Sequence, residues 1–436
     1  MSNISISDIS EIFKKAPIGE RVKIRGWLVG VRSSGGIHFL KVRDGSGFMQ
    51  CTLKKSSIEE KVFSEVEKIP VESILELIGS IREDRRAPKG LELSIEQVQV
   101  LSRAEEGYPI ARKYHGPEFI LDHRHLWIRE EKMQTLFKIR AAFLEAAREW
   151  FKANGYLEVQ APTIITAACE GGSTLFEVKY FDRKAYLTQS WQLYAEAMIA
   201  SIGKIYTISP SFRAEASRTR RHLTEYWHLE VEELWASLED IMKVQESLLT
   251  HICATLAEDK SEELKLLGRD PKDLLKVKPP FPRLTYKDSI ERLRRKGIEL
   301  NYGDDLAWEQ ERVVASEYEI PFFVVGFPKS AKAFYHKIDP ANPDLTLSAD
   351  LLAPEGYGEI TGGGQRIDNL DELINRIKEN GLNPDDYKWY IDLRRFGSAP
   401  HSGFGLGVER TLAWICKLKH IRDAIAFPRL INRVYP

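Results

Sequence analysis

Apolar and polar residues alternate through the first hundred positions. Arg21-Val-Lys-Ile-Arg-Gly-Trp27, Ile37-His-Phe-Leu-Lys-Val-Arg43 and Phe48-Met-Gln-Cys-Thr-Leu53 change character at nearly every residue, the period of a half-buried strand. Gly35-Gly36 and Asp44-Gly45-Ser46-Gly47 stand between them as turn signals. Ser56 to Lys68 reads as a helix, and Val71 to Ile81 and Leu91 to Val100 as two further strands. Residues 1–103 are therefore expected to be all-β, with five short strands and a helix after the third. Gly107, Pro109, Gly116 and Pro117 then break the pattern, so residues 104–130 are expected to link two domains.

The period changes after residue 130. Glu131 to Ala153 carries Leu136, Ile139, Phe143, Ala147 and Trp150 on one helical stripe, and Asn154-Gly155 closes it. Tyr156 to Val159 and Tyr186 to Ser190 read as strands, Gln192 to Ala200 and Ser237 to Leu256 as helices. Thr285 to Lys296 reads as a strand end and helix. Pro321 to Gly326 is a buried strand, Ala333-Phe-Tyr335 begins another, Leu347 to Leu352 and Gly358 to Arg366 are neighbours, and Trp389 to Arg395 is helical. The expected class is α+β: a barrel, then an antiparallel sheet flanked by helices over 131–436. Strand order in the first part is that of an OB-fold, which binds single strands on exposed aromatics within a basic groove. Arg32, Phe39, Arg43 and Gln50 are the candidates there.

Charge and composition narrow the setting. The 436 residues carry a formal net charge of -1, so any nucleic acid must be met by local patches. Four scattered cysteines without a CxxC argue against a zinc site or disulfide framework. The N-terminus lacks a basic-then-apolar signal and no apolar run reaches about 18 residues, so a soluble cytoplasmic protein is expected.

The densest chemistry lies between Tyr206 and Glu230. A strand ending at Phe212 is followed by Arg213 and Glu215, two apart, which strand spacing would aim at one face. Arg218, Arg220, Arg221 and His222 fill a connector, and a returning strand places Tyr226, His228 and Glu230 on alternate positions. An antiparallel pair that gathers cations over a sheet face suits a polyphosphate, which Arg forks bidentately. Asp350 and Glu359, on neighbouring strands, are hard oxygen donors suited to a divalent cation.

FRAE with RHLTEY (Phe212–Tyr226) resembles motif 2 of the class II aminoacyl-tRNA synthetases, and GFGLGVER (Gly403–Arg410) resembles motif 3. The LDHRHLWIR segment and the barrel are similar to the class IIb group, which serves aspartate, asparagine and lysine. The resemblance implies an ATP-dependent, two-step charging of tRNA with Mg2+. Arg213 would grip the α-phosphate. Arg221, His222 and Arg410 would hold the β- and γ-phosphates, and Glu215 and Tyr226 the adenine. Glu359, with Asp350, would bind the metal. Glu170 would meet the α-ammonium group from a Gly-rich lid. Ser190, Gln192, Glu196 and Arg366 would complete the amino-acid pocket. The helix, strand and proline of residues 131–162 resemble motif 1, which implies a homodimer. Arg32, Phe39 and Gln50 would read the anticodon.

One stretch bears on the amino acid. Aspartate enzymes of the group have QSPQLYKQ where this chain has QSWQLYAE, Gln189–Glu196. Ala195 replaces a lysine that pairs the substrate carboxylate, and Glu196 adds an anion. Glu196 is expected to accept from an amide NH2 and repel aspartate. The resemblance thus favours L-asparagine in the compact archaeal-like form. An aspartyl enzyme, an asparagine synthetase built on the same catalytic fold, and a purely RNA-binding protein remain open.

Overall fold

The computed structural model describes residues 4–110, 113–169, 174–216 and 219–436. They form two compact units, Met1–Glu131 and Lys132–Pro436.

The first unit is a closed barrel of β1 (Arg21–Ser34), β2 (Ile37–Arg43), β3 (Phe48–Lys54), β4 (Ile74–Glu83) and β5 (Leu91–Ser102), in the order β1-β2-β3-β5-β4. Antiparallel pairing of β1 with β4 and a short parallel pairing of β3 with β5 complete the ring. Alternation sends Ile24, Leu28, Leu40, Val42, Cys51 and Leu77 into one core. Helix α1 (Ile9–Lys15) adds Ile9 and Ile12 to that core; at seven residues it is too short to show a period. Helix α2 (Glu60–Val66) lies inside the span expected after β3. The outward positions interleave aromatics and cations. Arg32 lies 5.2 Å from the Phe39 ring centre, Lys41 4.6 Å from that of Phe48, and Arg43 5.1 Å from that of Trp27.

The second unit is built on an eight-stranded sheet. Its strands are β6 (Leu157–Glu158), β7 (Lys204–Phe212), β8 (Glu225–Leu234), β9 (Arg283–Thr285), β10 (Phe322–Val325), β11 (Ser348–Ala353), β12 (Gly358–Gln365) and β13 (His401–Gly407). They lie in the order β9-β10-β11-β12-β13-β8-β7-β6, antiparallel except for the outermost pair at each edge. Helix α3 (Glu131–Ala153) buries Leu136, Ile139, Phe143, Ala147 and Trp150, the stripe its period predicts. Four more helices matter to the site: α4 (Gln192–Ile202), α6 (Trp308–Ala315), α7 (Lys388–Arg395) and α8 (Val408–Ile415). Helix α5 (Leu238–Asp259) starts with a capping box between Ser237 and Asp240.

Three expectations need correction. The strand placed at 186–190 runs over Arg183–Leu187; beyond it the Thr188 hydroxyl bonds the Ser190 carbonyl and the chain turns into α4. Arg213 and Glu215 do not extend a strand: β7 ends at Phe212, and the Ala214 amide leaves the sheet for the Thr174 carbonyl, 2.8 Å away. Ala333-Phe-Tyr335 starts no strand either. Phe334 and Tyr335 are buried against Tyr387 and Tyr390, so the apolar run reports packing and not pairing.

The register sets up the site. Asp350 of β11 faces Gly362 of β12, which faces Gly405 of β13, which faces Glu230 of β8. Two carboxylates thus sit at the ends of one cross-strand row with glycines between. A Cβ on neighbouring Gly403 would lie 2.0 Å from Glu232 Oε2, so only glycine lets that side chain lie across the sheet.

Candidate active site

Strands β8, β11, β12 and β13 floor a cavity of about 520 Å3. Tyr226, His228, Glu230 and Glu232 all face it, because residues two apart on β8 share a face. The β7–β8 loop adds Arg213, Glu215, Arg221 and His222. Ser190 and Gln192 enter from the start of α4, Asp350 from β11, Glu359 from β12, Arg366 from the end of β12 and Arg410 from the first turn of α8. The structure therefore gathers the cavity residues expected from sequence apart from three. Glu170 lies outside the described residues, as does Arg218. Glu196 does not line the cavity.

One end of the cavity is a network of arginines and carboxylates. Arg221 Nη2 donates to Glu359 Oε2 at 2.9 Å, and Arg410 Nη1 to the same oxygen at 2.8 Å. Arg221 Nη1 is held by Glu311 of α6, whose Oε2 also accepts the Glu359 amide at 2.6 Å. Arg221 Nε is buried with no hydrogen-bond partner among the described residues. Burial would raise the Glu359 carboxyl, but Arg410, Arg221 and Lys332 bring it down to about 2. His222 is pushed down to about 4 by burial and by Arg410, so it is neutral at pH 7 and acts as a dipole. Thr219 bonds its Nδ1 at 2.5 Å. Arg213 lies 5.8 Å from the Tyr226 ring centre.

The donor set fits a divalent cation. Both arginines take Glu359 Oε2, and Lys332 takes Asp350 Oδ2 at 2.5 Å. The other two oxygens both border Gly362: a Cβ there would lie 3.2 Å from Glu359 Oε1 and 3.6 Å from Asp350 Oδ1. Glycine thus leaves a cradle open beside two hard carboxylate oxygens. Burial pushes Asp350 up to about 7, against the pull of Lys332 and with the help of Glu359 and Asp305.

The other end sets two carboxylates, Glu230 and Glu232, against one guanidinium, Arg366. Glu230 accepts from the Ser190 hydroxyl at 2.5 Å and the Trp191 amide at 2.9 Å. Arg366 forks Glu232 through Nε at 2.9 Å and Nη2 at 3.1 Å, and Nη1 takes no part in that fork. Behind them, fully buried Glu196 is saturated. Its Oε1 accepts from Gln192 Nε2 at 3.0 Å. Its Oε2 accepts from Tyr390 at 2.7 Å and Arg394 at 2.5 Å, and His401 Nε2 lies 3.0 Å away. Burial would raise its carboxyl; Arg394 and His401 outweigh it and hold it well below the ordinary range. Glu196 touches the cavity lining through Gln192, whose amide it orients.

In the first unit, Arg32 and Phe39 face each other across β1 and β2 on the outer side of the barrel. Gln50 shares that side, its Nε2 held by Glu92 at 3.0 Å. Sequence reading passed over Trp27, Lys41, Phe48 and Glu92 on this surface. In the cavity it missed Glu232, Glu311 and Lys332, and saw Glu230 only as an alternating position.

Residues 116–431 match the family model for class II tRNA synthetases (D, K and N). The chain belongs to that family. Residues 22–101 match the family model for the OB-fold nucleic acid binding domain. The asparagine--tRNA ligase of Thermoplasma acidophilum is 47% identical over 428 residues, 98% of this chain and 99% of that one. The enzyme of the same name from Thermus thermophilus is 48% identical, covering 96% of this chain and 98% of that one. Asparaginyl-tRNA synthetase from Pyrococcus horikoshii, complexed with asparaginyl-adenylate, matches the synthetase with a TM-score of 0.94 at 46% identity. That match covers 99% of this chain and 100% of that one.

Proposed function

We propose that the protein charges tRNA with L-asparagine in two steps. The asparagine carboxylate attacks the ATP α-phosphate, giving asparaginyl-adenylate and pyrophosphate; the terminal tRNA hydroxyl then takes the activated carbonyl and releases AMP. The observation that carries asparagine over aspartate is the charge of the small end. Ala195 supplies no cation, Arg366 is already forked by Glu232, and the carboxylate of Glu230 faces the cavity. An amide can donate to Glu230 and accept from Arg366. A second carboxylate would meet an anion with no cation left over.

Catalysis needs alignment and charge, with no protein nucleophile. Arg213 grips the α-phosphate, Arg221 and His222 the β- and γ-phosphates, and Arg410 the γ-phosphate. Tyr226 stacks the adenine and Glu215 accepts from its amino group. Gln192 and Ser190, with Glu170, hold the amino acid. Mg2+ bound at Glu359 and Asp350 would neutralise phosphate charge. Residues 1–103 serve the anticodon through Phe39, Arg32 and Gln50, residues 104–130 are the hinge, and residues 131–436 the catalytic domain. A homodimer through residues 131–162 is supported by the sheet edge, where β6 pairs only with β7 and Leu157 is 53% exposed. Among the described residues no helix is long and apolar enough to cross a membrane. With the buried cysteines this fits a cytoplasmic enzyme.

Pyrophosphate exchange into ATP, with asparagine and aspartate in separate reactions and Mg2+ present, tests the reading. Exchange with asparagine should exceed that with aspartate by about 100-fold or more. Comparable exchange with aspartate would move the assignment to an aspartyl enzyme, and none with either to a repurposed relative.

Glu311→Gln separates positioning from binding. Glu311 touches Arg221 and the Glu359 backbone from α6, so its loss should raise KM for ATP about tenfold and leave KM for asparagine unchanged. An equal rise in both constants would show a merely structural role.

A further inference from the structure

Lys332 is the one ammonium group lining the cavity among the described residues, and the two-step reaction as written leaves it without a task. It follows a single turn of 3-10 helix, Lys329–Ala331, in a part of the chain that carries no readable motif. Its side chain is 12% exposed. Its Nζ lies 2.5 Å from Asp350 Oδ2 and 3.8 Å from the centre of the Phe327 ring. The aromatic face and the carboxylate hold the ammonium in place from two sides.

The position of Lys332 matters because of what surrounds it. Glu359 has two cations of its own, Arg221 and Arg410. Asp350 has Lys332 alone among the ion pairs of the described residues. Take Lys332 away, and Asp350 stands buried beside Glu359 with no cation of its own among the described ion pairs. A divalent cation seeking Asp350 and Glu359 must compete with this ammonium for Asp350. A triphosphate entering with the cation offers the displaced ammonium a new anion.

We propose that Lys332 is a built-in counter-cation of the carboxylate cradle. It holds Asp350 while the cavity is empty, and it exchanges that partner for the phosphate chain when a metal–nucleotide complex enters. The cradle then takes a divalent cation together with its nucleotide and discriminates against the bare ion. The inference rests on reading Asp350 and Glu359 as the cradle.

Mn2+ binding, followed by the loss of the free-ion electron paramagnetic resonance signal, tests this without turnover. The wild type should bind Mn2+ weakly alone and more tightly with a non-hydrolysable ATP analogue. Lys332→Met should bind Mn2+ alone about tenfold tighter or more than the wild type. Lys332→Arg, which keeps the charge, should behave like the wild type. Lys332→Gln gives a second neutral variant should the methionine fail to fold, and circular dichroism establishes folding for each. Adding Glu359→Gln to Lys332→Met should abolish the gain. If both neutral variants bind bare Mn2+ no more tightly than the wild type, while Glu359→Gln still weakens binding, the counter-cation role is overturned and the cradle stands. If Glu359→Gln changes Mn2+ binding in no background, with or without the analogue, the cradle itself is overturned.

Discussion

Glu196→Leu should lose about 3–5 kcal/mol of folding stability, because it strands a buried cation. Glu196 is fully buried, and Arg394, 1% exposed at its side chain, depends on it. Leucine fills the volume but leaves the guanidinium with Tyr390 and the Ile367 carbonyl as its partners. Thermal and urea unfolding of the variant measure the loss. A melting temperature within a degree or two of the wild type would contradict the network. Glu196→Leu combined with Arg394→Met should recover much of the deficit, since a buried ion pair is often replaceable by apolar groups of similar size. The sequence reading made Glu196 the selector against aspartate, with Glu196→Lys or Glu196→Gln relaxing the choice. In the folded chain a lysine there would stand against Arg394 and His401, so misfolding should come before altered specificity. The Glu196 charge also makes stability depend on pH. The carboxyl is held below its ordinary 4.5, so its contribution is complete above that pH and fades only as pH drops through the lowered value.

The second large effect is expected from Glu359→Gln. This carboxylate joins Arg221 to Arg410 and offers its other oxygen to the cradle at Gly362. The amide keeps the shape and loses the charge. Both arginines then lose the anion they share, and the cradle loses one of its two hard donors. Pyrophosphate exchange should fall by about 100- to 1,000-fold, the range seen when a preorganised charge contact is removed. Raising Mg2+ should restore little of it. Unfolding should change far less than in Glu196→Leu, because Arg221 keeps Glu311. An exchange rate within tenfold of the wild type would remove Glu359 from the phosphate site.

What could be read before the fold was known follows a physical divide. The barrel strands alternate because one face of each is wet, so period two marked them. The stripe on α3 appeared for the same reason. Tyr226, His228 and Glu230 were legible as co-facial because strand geometry fixes the face. Arg213 and Glu215 were placed on a strand for want of any sign that the Ala214 amide turns away. Glu311 and Lys332 were invisible. Each comes from a short element far along the chain, and only tertiary folding brings them to Glu359 and Asp350. Glu196 was noticed for its charge and misplaced, because a sequence shows that a carboxylate is present but not whether donors already surround it.

The row Asp350–Gly362–Gly405–Glu230 also works as a gauge. Adjacent strands lie about 4.8 Å apart, so three steps across the sheet separate its two acidic ends by roughly 14 Å. That span is set by backbone hydrogen bonds, and no side-chain substitution can stretch it. Under the proposed function, the reach from triphosphate to amino-acid side chain is therefore a constant of the scaffold. A lineage that changes its amino acid must do so at the end of the scale, on α4 or at Glu230, while the nucleotide half stays as it was.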